Sequence, residues 1–289
     1  MQAMNNTQFF WFNGECVKPA DLASDRGLSF GDGVFETIAY FQSSIPFLAL
    51  HLERLNSSCA RLKINLNLDN LRQQLQTFLA EVDASYGRLK IIVSRGKKGV
   101  GCYPDLQDEA NIYFAFTPTK ELFSNRARQL DLRVARTPLY DMPVLAGLKH
   151  LNRLNYIAAA LEETSPFEEE LLFLDVRQNV IETMHGNVFF IRAANRQLYT
   201  PCLKQVGVVG VLRTFIQNTL AEQCQFKVVE QDVSVAALDD FDGAFMCNAI
   251  KGIVPIGKIK HQSSTIQFDD EQYGMMFQNK LQQYLAETV

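Results

Sequence analysis

Apolar positions along the chain recur with two periods that alternate in blocks. In residues 45–64, IPFLALHLERLNSSCARLKI, Leu52, Leu55, Cys59 and Leu62 fall at three- and four-residue steps, which predicts an amphipathic helix. Leu71, Leu75, Phe78, Leu79 and Val82 predict a second helix directly after it. Ahead of both, FFWFNGECV (9–17) reads as a hairpin, with aromatic strand residues around an Asn13-Gly14 pair suited to a tight primed turn. GRLKIIVSRG (87–96) and NIYFAFTP (111–118) are rich in β-formers and predict strands. Together these elements make a small α+β domain over 1–118. The polar, patternless stretch 119–130 follows as a linker, and 131–289 forms a larger domain.

That second domain opens with a strand, LDLRVARTP (130–138), and a loop, LYDMPVLAG (139–147). A helix is predicted over 151–163, with Leu151, Leu154, Ala158 and Leu161 facing inward and Pro166 beyond its end. Four short strands, 170–176, 180–184, 187–193 and 197–201, alternate with turn residues. A glycine-rich turn then enters a helix over 207–224 whose stripe is Leu212, Phe215, Ile216 and Leu220. The last helix carries Tyr273, Met276, Phe277, Leu281 and Leu285. The layout is that of a two-domain α+β enzyme, with active-site loops expected at the domain junction.

Composition narrows the function classes. With 289 residues, 47% hydrophobic, the chain can bury a substantial core. The formal net charge of −4 arises from interspersed acids and bases, so nothing resembles a basic patch for nucleic acid or an anionic membrane. No apolar run approaches the ~20 residues of a membrane-spanning helix. MQAMNNTQFFWFNGE lacks the basic and apolar regions of a secretory signal, so a cytoplasmic location is expected. Six dispersed cysteines without a CxxC pair suggest reduced, mostly buried thiols, and four dispersed histidines without an HExxH pair speak against a metal site. GxGxxG, GxxxxGK[ST] and GxSxG motifs are absent, and LDDFDGAF (238–245) lacks the spacing of a calcium loop.

Three features carry candidate chemistry. Lys149 lies between the Ala146-Gly147 pair and a predicted helix start, flanked by Leu148 and Leu151. An unperturbed lysine is only ~0.04% free amine at pH 7, but apolar neighbours and a helix N-terminus disfavour the charged form. Lys149 is therefore either a nucleophile for a carbonyl or a loop lysine whose charge reaches solvent. Glu182 stands in a β-rich run, where its side chain points either to solvent or to a buried cation such as a protonated pyridine nitrogen. The third feature is anion binding. The amides of Val211 and Leu212 open the helix after the glycine turn, CNAIKGIVPI offers a second turn at Asn248 and Ala249, and Arg54 can fork onto phosphate oxygens. Surface placement and purely structural turns remain the alternatives for this group.

Amine, acid and phosphate site are the three needs of a phosphorylated aldehyde cofactor. The chain resembles the fold-type IV pyridoxal-phosphate enzymes, the group that holds branched-chain aminotransferase, D-amino acid transaminase and 4-amino-4-deoxychorismate lyase. The resemblance rests on DRGLSFGDGVFET (25–37), HLERL (51–55), AGLKHLNRL (146–154), IETMHGNVFF (181–190), GVVGVLRTF (207–215) and CNAIKGIVPI (247–256), in family order. It implies that Lys149 bonds the cofactor's aldehyde and serves as the catalytic base, and that Glu182 meets the pyridine nitrogen. It also implies that Arg54 and the Val211, Leu212, Asn248 and Ala249 region hold the phosphate. Ala249 replaces the threonine of many transaminases, which leaves only a backbone N–H there. The wording of 146–154, 207–215 and 247–256 is most like the lyases, which convert 4-amino-4-deoxychorismate to 4-aminobenzoate and pyruvate in folate biosynthesis. Branched-chain or D-amino acid aminotransfer is the alternative. SRGKKGVGCY (94–103) lacks the Arg-x-His carboxylate trap, which leaves Arg95, Lys97 or Lys98 to meet a substrate carboxylate. Glu36, shared with transaminases where some lyases carry threonine, joins the substrate-binding candidates. Relatives of this group are usually homodimers, so a homodimer is expected.

Overall fold

The computed structural model describes residues 9–12, 15–16, 24–123, 129–162, 170–268 and 271–288. The chain folds as two compact units: 1–122 with 148–152 and 289, and 123–147 with 153–288.

The first unit is built on an antiparallel sheet of strands β1 (Phe9–Phe12), β2 (Glu15–Cys16), β3 (Gly33–Phe41), β4 (Tyr86–Ser94) and β7 (Asn111–Pro118), in the order β2-β1-β7-β4-β3. β1 and β2 pair as the predicted hairpin, Trp11 opposite Cys16, while the Asn13-Gly14 turn lies outside the described residues. Between the strands run α1 (Arg26–Phe30), α2 (Leu48–Leu62), α3 (Leu68–Ala80) and the two-residue ladder of β5 (Gly99–Val100) with β6 (Tyr103–Pro104). The predicted stripes of α2 and α3 cover one face of the sheet. Leu52, Leu55, Cys59, Leu71, Leu75 and Phe78 share a core with Ile38, Leu89, Ile91 and Phe114, and Leu62, Leu79 and Val82 pack at its margin. The free edge of β3 is taken by residues 149–151: Phe35 N–H donates to the Lys149 carbonyl (2.9 Å) and Leu151 N–H to that of Gly33 (2.9 Å). Covering a sheet edge in this way satisfies backbone groups that would otherwise be unpaired.

The second unit is a large mixed sheet in the order β10-β9-β8-β15-β14-β11-β12-β13, with β16 also on β15. Its strands are β8 (Leu130–Val134), β9 (Glu170–Leu174), β10 (Val180–Thr183), β11 (Asn187–Arg192), β12 (Gln197–Thr200), β13 (Lys227–Glu230), β14 (Gly243–Asn248), β15 (Gly252–His261) and β16 (Ser264–Gln267). β15 is long enough to serve two sets of partners: residues 252–255 pair with β14, and 256–261 with β8 and β16. Leu132, Leu172, Val188, Phe190, Met246 and Ile259 form the core of the sheet. The predicted helix over 207–224 is observed as α5 (Val211–Phe215), a π turn (Ile216–Leu220) and α6 (Ala221–Gln223), with Leu212, Phe215, Ile216 and Leu220 all buried. The closing helix α7 (Glu271–Thr288) seats Phe277, Leu281 and Leu285, with Tyr273 and Met276 partly covered.

The helix predicted over 151–163 is corrected. It runs as α4 (Leu154–Ala160) and turns Tyr156 and Ala159 inward. Leu154 (72%) and Leu161 (79%) are exposed, and so is Ala158. The reason is tertiary. Residues 149–151 extend along β3, so the helix starts three residues later than the apolar period suggests, and its inward face is the one that packs Tyr156 and Ala159 with Leu171, Phe173 and Ile181. Residues 163–169, with Pro166, lie outside the described residues.

Candidate active site

In the first unit, Glu36 on β3 and the helix α2 meet over a buried charge cluster. His51 and Arg54 are three residues apart on α2 and therefore share a face. Arg54 grips Glu36 with two bonds, Nε to Oε1 (2.8 Å) and Nη2 to Oε2 (2.5 Å), and His51 Nδ1–H donates to Oε2 (2.7 Å). Burial alone would push the Glu36 carboxyl up, but the Arg54 charge and the bonds from His51 and Arg54 outweigh it and hold it at about 2. Burial lowers His51, which therefore donates through Nδ1 as a neutral imidazole, and its Nε2 is buried without a hydrogen-bond partner among the described residues. Lys149 belongs to the same unit. Half-buried, it is held through its backbone on β3, with its Nζ 4.4 Å from the centre of the Phe35 ring.

The remaining candidates of this unit have other partners. Arg95 is buried; its Nε donates to Asp32 (2.9 Å), and Nη1 and Nη2 donate to the carbonyls of Lys63 (2.6 Å) and Leu62 (2.8 Å). It closes the last turn of α2, whose final carbonyls have no acceptor role inside the helix. Lys97 is exposed, and its backbone N–H, like that of Lys98, donates to Asp108.

In the second unit, Glu182 is buried on β10 and accepts hydrogen bonds from Tyr156 Oη–H (2.5 Å), Val208 N–H (2.9 Å) and Asn187 Nδ2–H (3.3 Å). Of the two placements open in the sequence, the interior one is observed. Asn187 also donates to the Val208 carbonyl (2.9 Å) and accepts from Gly210 N–H (3.1 Å). Among the described residues no side chain caps Gly210 at the start of α5, so the amides of Val211 and Leu212 open the helix with no acceptor inside it. Asn187 thus ties the buried acid to the anion-attracting helix start. Both glycines of this turn are required. A Cβ on Gly210 would lie 2.1 Å from Asn187 Oδ1; Gly207, at φ +95°, faces Ile181 and Leu203 below 3.0 Å. Across the strand pair, Asn187 faces Cys247, next to the Asn248-Ala249 turn. There Asn248 Oδ1 accepts from the amides of Ile250 (2.9 Å) and Lys251 (2.7 Å), and its Nδ2 donates to the His185 carbonyl (3.1 Å).

The second unit therefore brings together Glu182, Val211, Leu212, Asn248 and Ala249, and the first unit brings together Glu36, Arg54 and Lys149. Chemically, the second-unit group suits a ligand that offers a protonated nitrogen to Glu182 and an anion to the helix start. His51, Tyr156 and Asn187 escaped the sequence reading. The HxxR spacing could have indicated His51, but the roles of Tyr156 and Asn187 depend on contacts 5 to 26 residues away.

With this geometry in view, comparisons with known proteins acquire a physical meaning. A Vibrio harveyi aminodeoxychorismate lyase is 29% identical over 262 residues, 90% of this chain and 94% of the relative. A Bacillus licheniformis D-alanine aminotransferase is 27% identical over 267 residues, 87% and 88% of the two chains. The crystal structure of 4-amino-4-deoxychorismate lyase from Pseudomonas aeruginosa superposes with a TM-score of 0.84 at 32% identity, covering 97% of this chain and 99% of the other. Solved structures of the fold carry pyridoxal or pyridoxamine phosphate. The model of the amino-transferase class IV family matches residues 33–259, a span that contains the Glu36–Arg54 pair, Lys149, Glu182, the α5 start and the Asn248 turn. The chain is a member of that family, the pyridoxal-phosphate enzymes of fold-type IV.

Proposed function

We propose that this enzyme is a pyridoxal-phosphate-dependent carbon–oxygen lyase that converts 4-amino-4-deoxychorismate to 4-aminobenzoate and pyruvate. The observation that carries the reading is the similarity to the Pseudomonas lyase, at 32% identity over nearly the whole of both chains. The Vibrio lyase supports it at comparable coverage.

Bound pyridoxal phosphate supplies an electron-accepting ring, which stabilises the charge left when a proton is taken from an amine-bearing carbon. Glu182, held by Tyr156 and the Val208 amide, keeps a proton on the ring nitrogen. Arg54, the amides of Val211 and Leu212 and the Asn248-Ala249 turn hold the phosphate. Lys149 Nζ takes the proton from the amine-bearing ring carbon of the substrate, and the departing enolpyruvate takes up a proton to leave as pyruvate. Departure of the enolpyruvyl oxygen leaves an aromatic ring, which makes the elimination strongly downhill. The active species in this reading is a homodimer.

The test mixes cofactor-loaded protein with 4-amino-4-deoxychorismate, without any keto acid, and follows 4-aminobenzoate and pyruvate together. Equal release of both is expected. A second reading, aminotransfer to a keto acid, is supported by the D-alanine aminotransferase relative and uses the same Lys149 and Glu182. Turnover only when a keto acid is supplied would replace the lyase reading with this one.

A further inference from the structure

Beside Asn187, the loop between β10 and β11 carries a second acid–imidazole pair that plays no part in the reaction as derived above. Glu170, at the start of β9, is buried; its carboxylate accepts from His185 N–H (2.9 Å) and meets His185 Nδ1 at 2.9 and 3.0 Å. A carboxylate only accepts, so the proton sits on Nδ1 and the orientation of the ring is set. The other ring nitrogen, Nε2, belongs to a side chain 62% exposed. Two features place the His185 backbone beside the candidate site. The His185 carbonyl takes the Nδ2–H of Asn248, and Asn187, two residues on, bonds both Glu182 and the amide of Gly210. Lys251 lies on the Asn248 turn, exposed, and its charge reaches Glu170. The corner therefore holds two basic side chains against one buried carboxylate.

We infer that His185, oriented by Glu170 and assisted by Lys251, is a binding site for the carboxylate of the substrate. This rests on the reading that the Glu182 and α5 neighbourhood is the cofactor's. It supplies the carboxylate partner for which the Arg95–Lys98 loop was the expected source. With Nδ1–H given to Glu170, Nε2 is the ring atom left to face an anion, and Lys251, whose charge reaches Glu170, lies on the adjoining turn. In a Glu–His pair that merely braces the loop, replacing the histidine leaves carboxylate affinity unchanged.

The test uses benzoate, an unreactive carboxylate, with the cofactor-loaded protein, so it needs no turnover and does not depend on which amino substrate is correct. Affinity is measured by calorimetry for the unmodified protein, His185→Gln and Lys251→Gln. His185→Gln is expected to bind about tenfold more weakly than the unmodified protein, and Lys251→Gln a few-fold more weakly. An unchanged cofactor absorption spectrum marks the variants as folded and loaded. With the amino substrate the enzyme turns over, His185→Gln raises KM about tenfold and leaves kcat within about twofold. Equal benzoate affinity in His185→Gln, or no benzoate binding to the unmodified cofactor-loaded protein, overturns the assignment; the second outcome does so even if no variant folds. Failure of the lyase reading shows separately, as absent 4-aminobenzoate.

Discussion

Replacing Glu36 with glutamine tests the buried cluster of the first unit most directly. The substitution keeps the shape of the side chain but removes the carboxylate charge that Arg54 grips, while leaving an acceptor for His51. The magnitude follows from the carboxyl, which falls from an ordinary 4.5 to about 2 on folding. Each unit is worth about 1.4 kcal/mol, so the charged form contributes roughly 3 kcal/mol at neutral pH. This agrees with the roughly 3–5 kcal/mol lost when one partner of a buried ion pair is removed. Because the folded value is depressed, the stabilisation is complete above the unfolded value and disappears as pH falls through the folded one. At pH 3 about 1 kcal/mol remains. The assay is thermal and urea unfolding of the cofactor-free protein at pH 7 and pH 3, for the unmodified chain and Glu36→Gln. At about 2–4 °C per kcal/mol for units of this size, a melting temperature lower by roughly 6–12 °C is expected at pH 7. At pH 3 the gap narrows to a few degrees. A variant within 1 °C of the parent at pH 7, or a gap that does not narrow in acid, would refute the assignment of Glu36 as the ionised partner of Arg54.

Other consequences follow from the same geometry. Gly210→Ala puts a Cβ into Asn187 Oδ1 and displaces the helix start, so affinity for pyridoxal phosphate, read by visible absorbance titration, falls by at least about tenfold (about 1.4 kcal/mol); unchanged affinity removes the α5 start from the phosphate site. Lys149→Ala loses the visible absorption of lysine-bound cofactor, and turnover drops roughly 10²–10⁴-fold or more. Parental activity in that variant rules Lys149 out as the base. Thiol labelling followed by peptide mapping finds Cys102, which is exposed, modified within minutes at pH 8. Cys59 and Cys247, buried and with thiols pushed up to about 12, react only on unfolding. Early labelling of either buried thiol contradicts the packing of its core.

Local spacing alone was enough to specify most of the elements. The stripes of α2, α3 and the helix from Val211 are periodic, and an apolar face must be buried wherever the chain goes. The same holds for β4 and β7 and for the strands of the second unit. Lys149, Arg54 and Glu182 were legible as candidates because their residue types are unusual where they stand. What each one touches was not legible. The start of α4 depends on residues 149–151 pairing with β3, more than a hundred positions earlier, and its buried face on packing against Phe173 and Ile181, so the period of Leu151, Leu154, Ala158 and Leu161 was misleading. Whether Glu182 faces solvent or the interior was decided by Tyr156, Asn187 and Val208, three donors from separate elements. Glu36 and Arg95 looked alike as charges near a substrate, yet one grips Arg54 and the other closes a helix. Periodicity is a property of neighbouring residues and survives in the bare sequence. The environment of a charge is set by groups far along the chain, and only folding brings them within hydrogen-bonding distance.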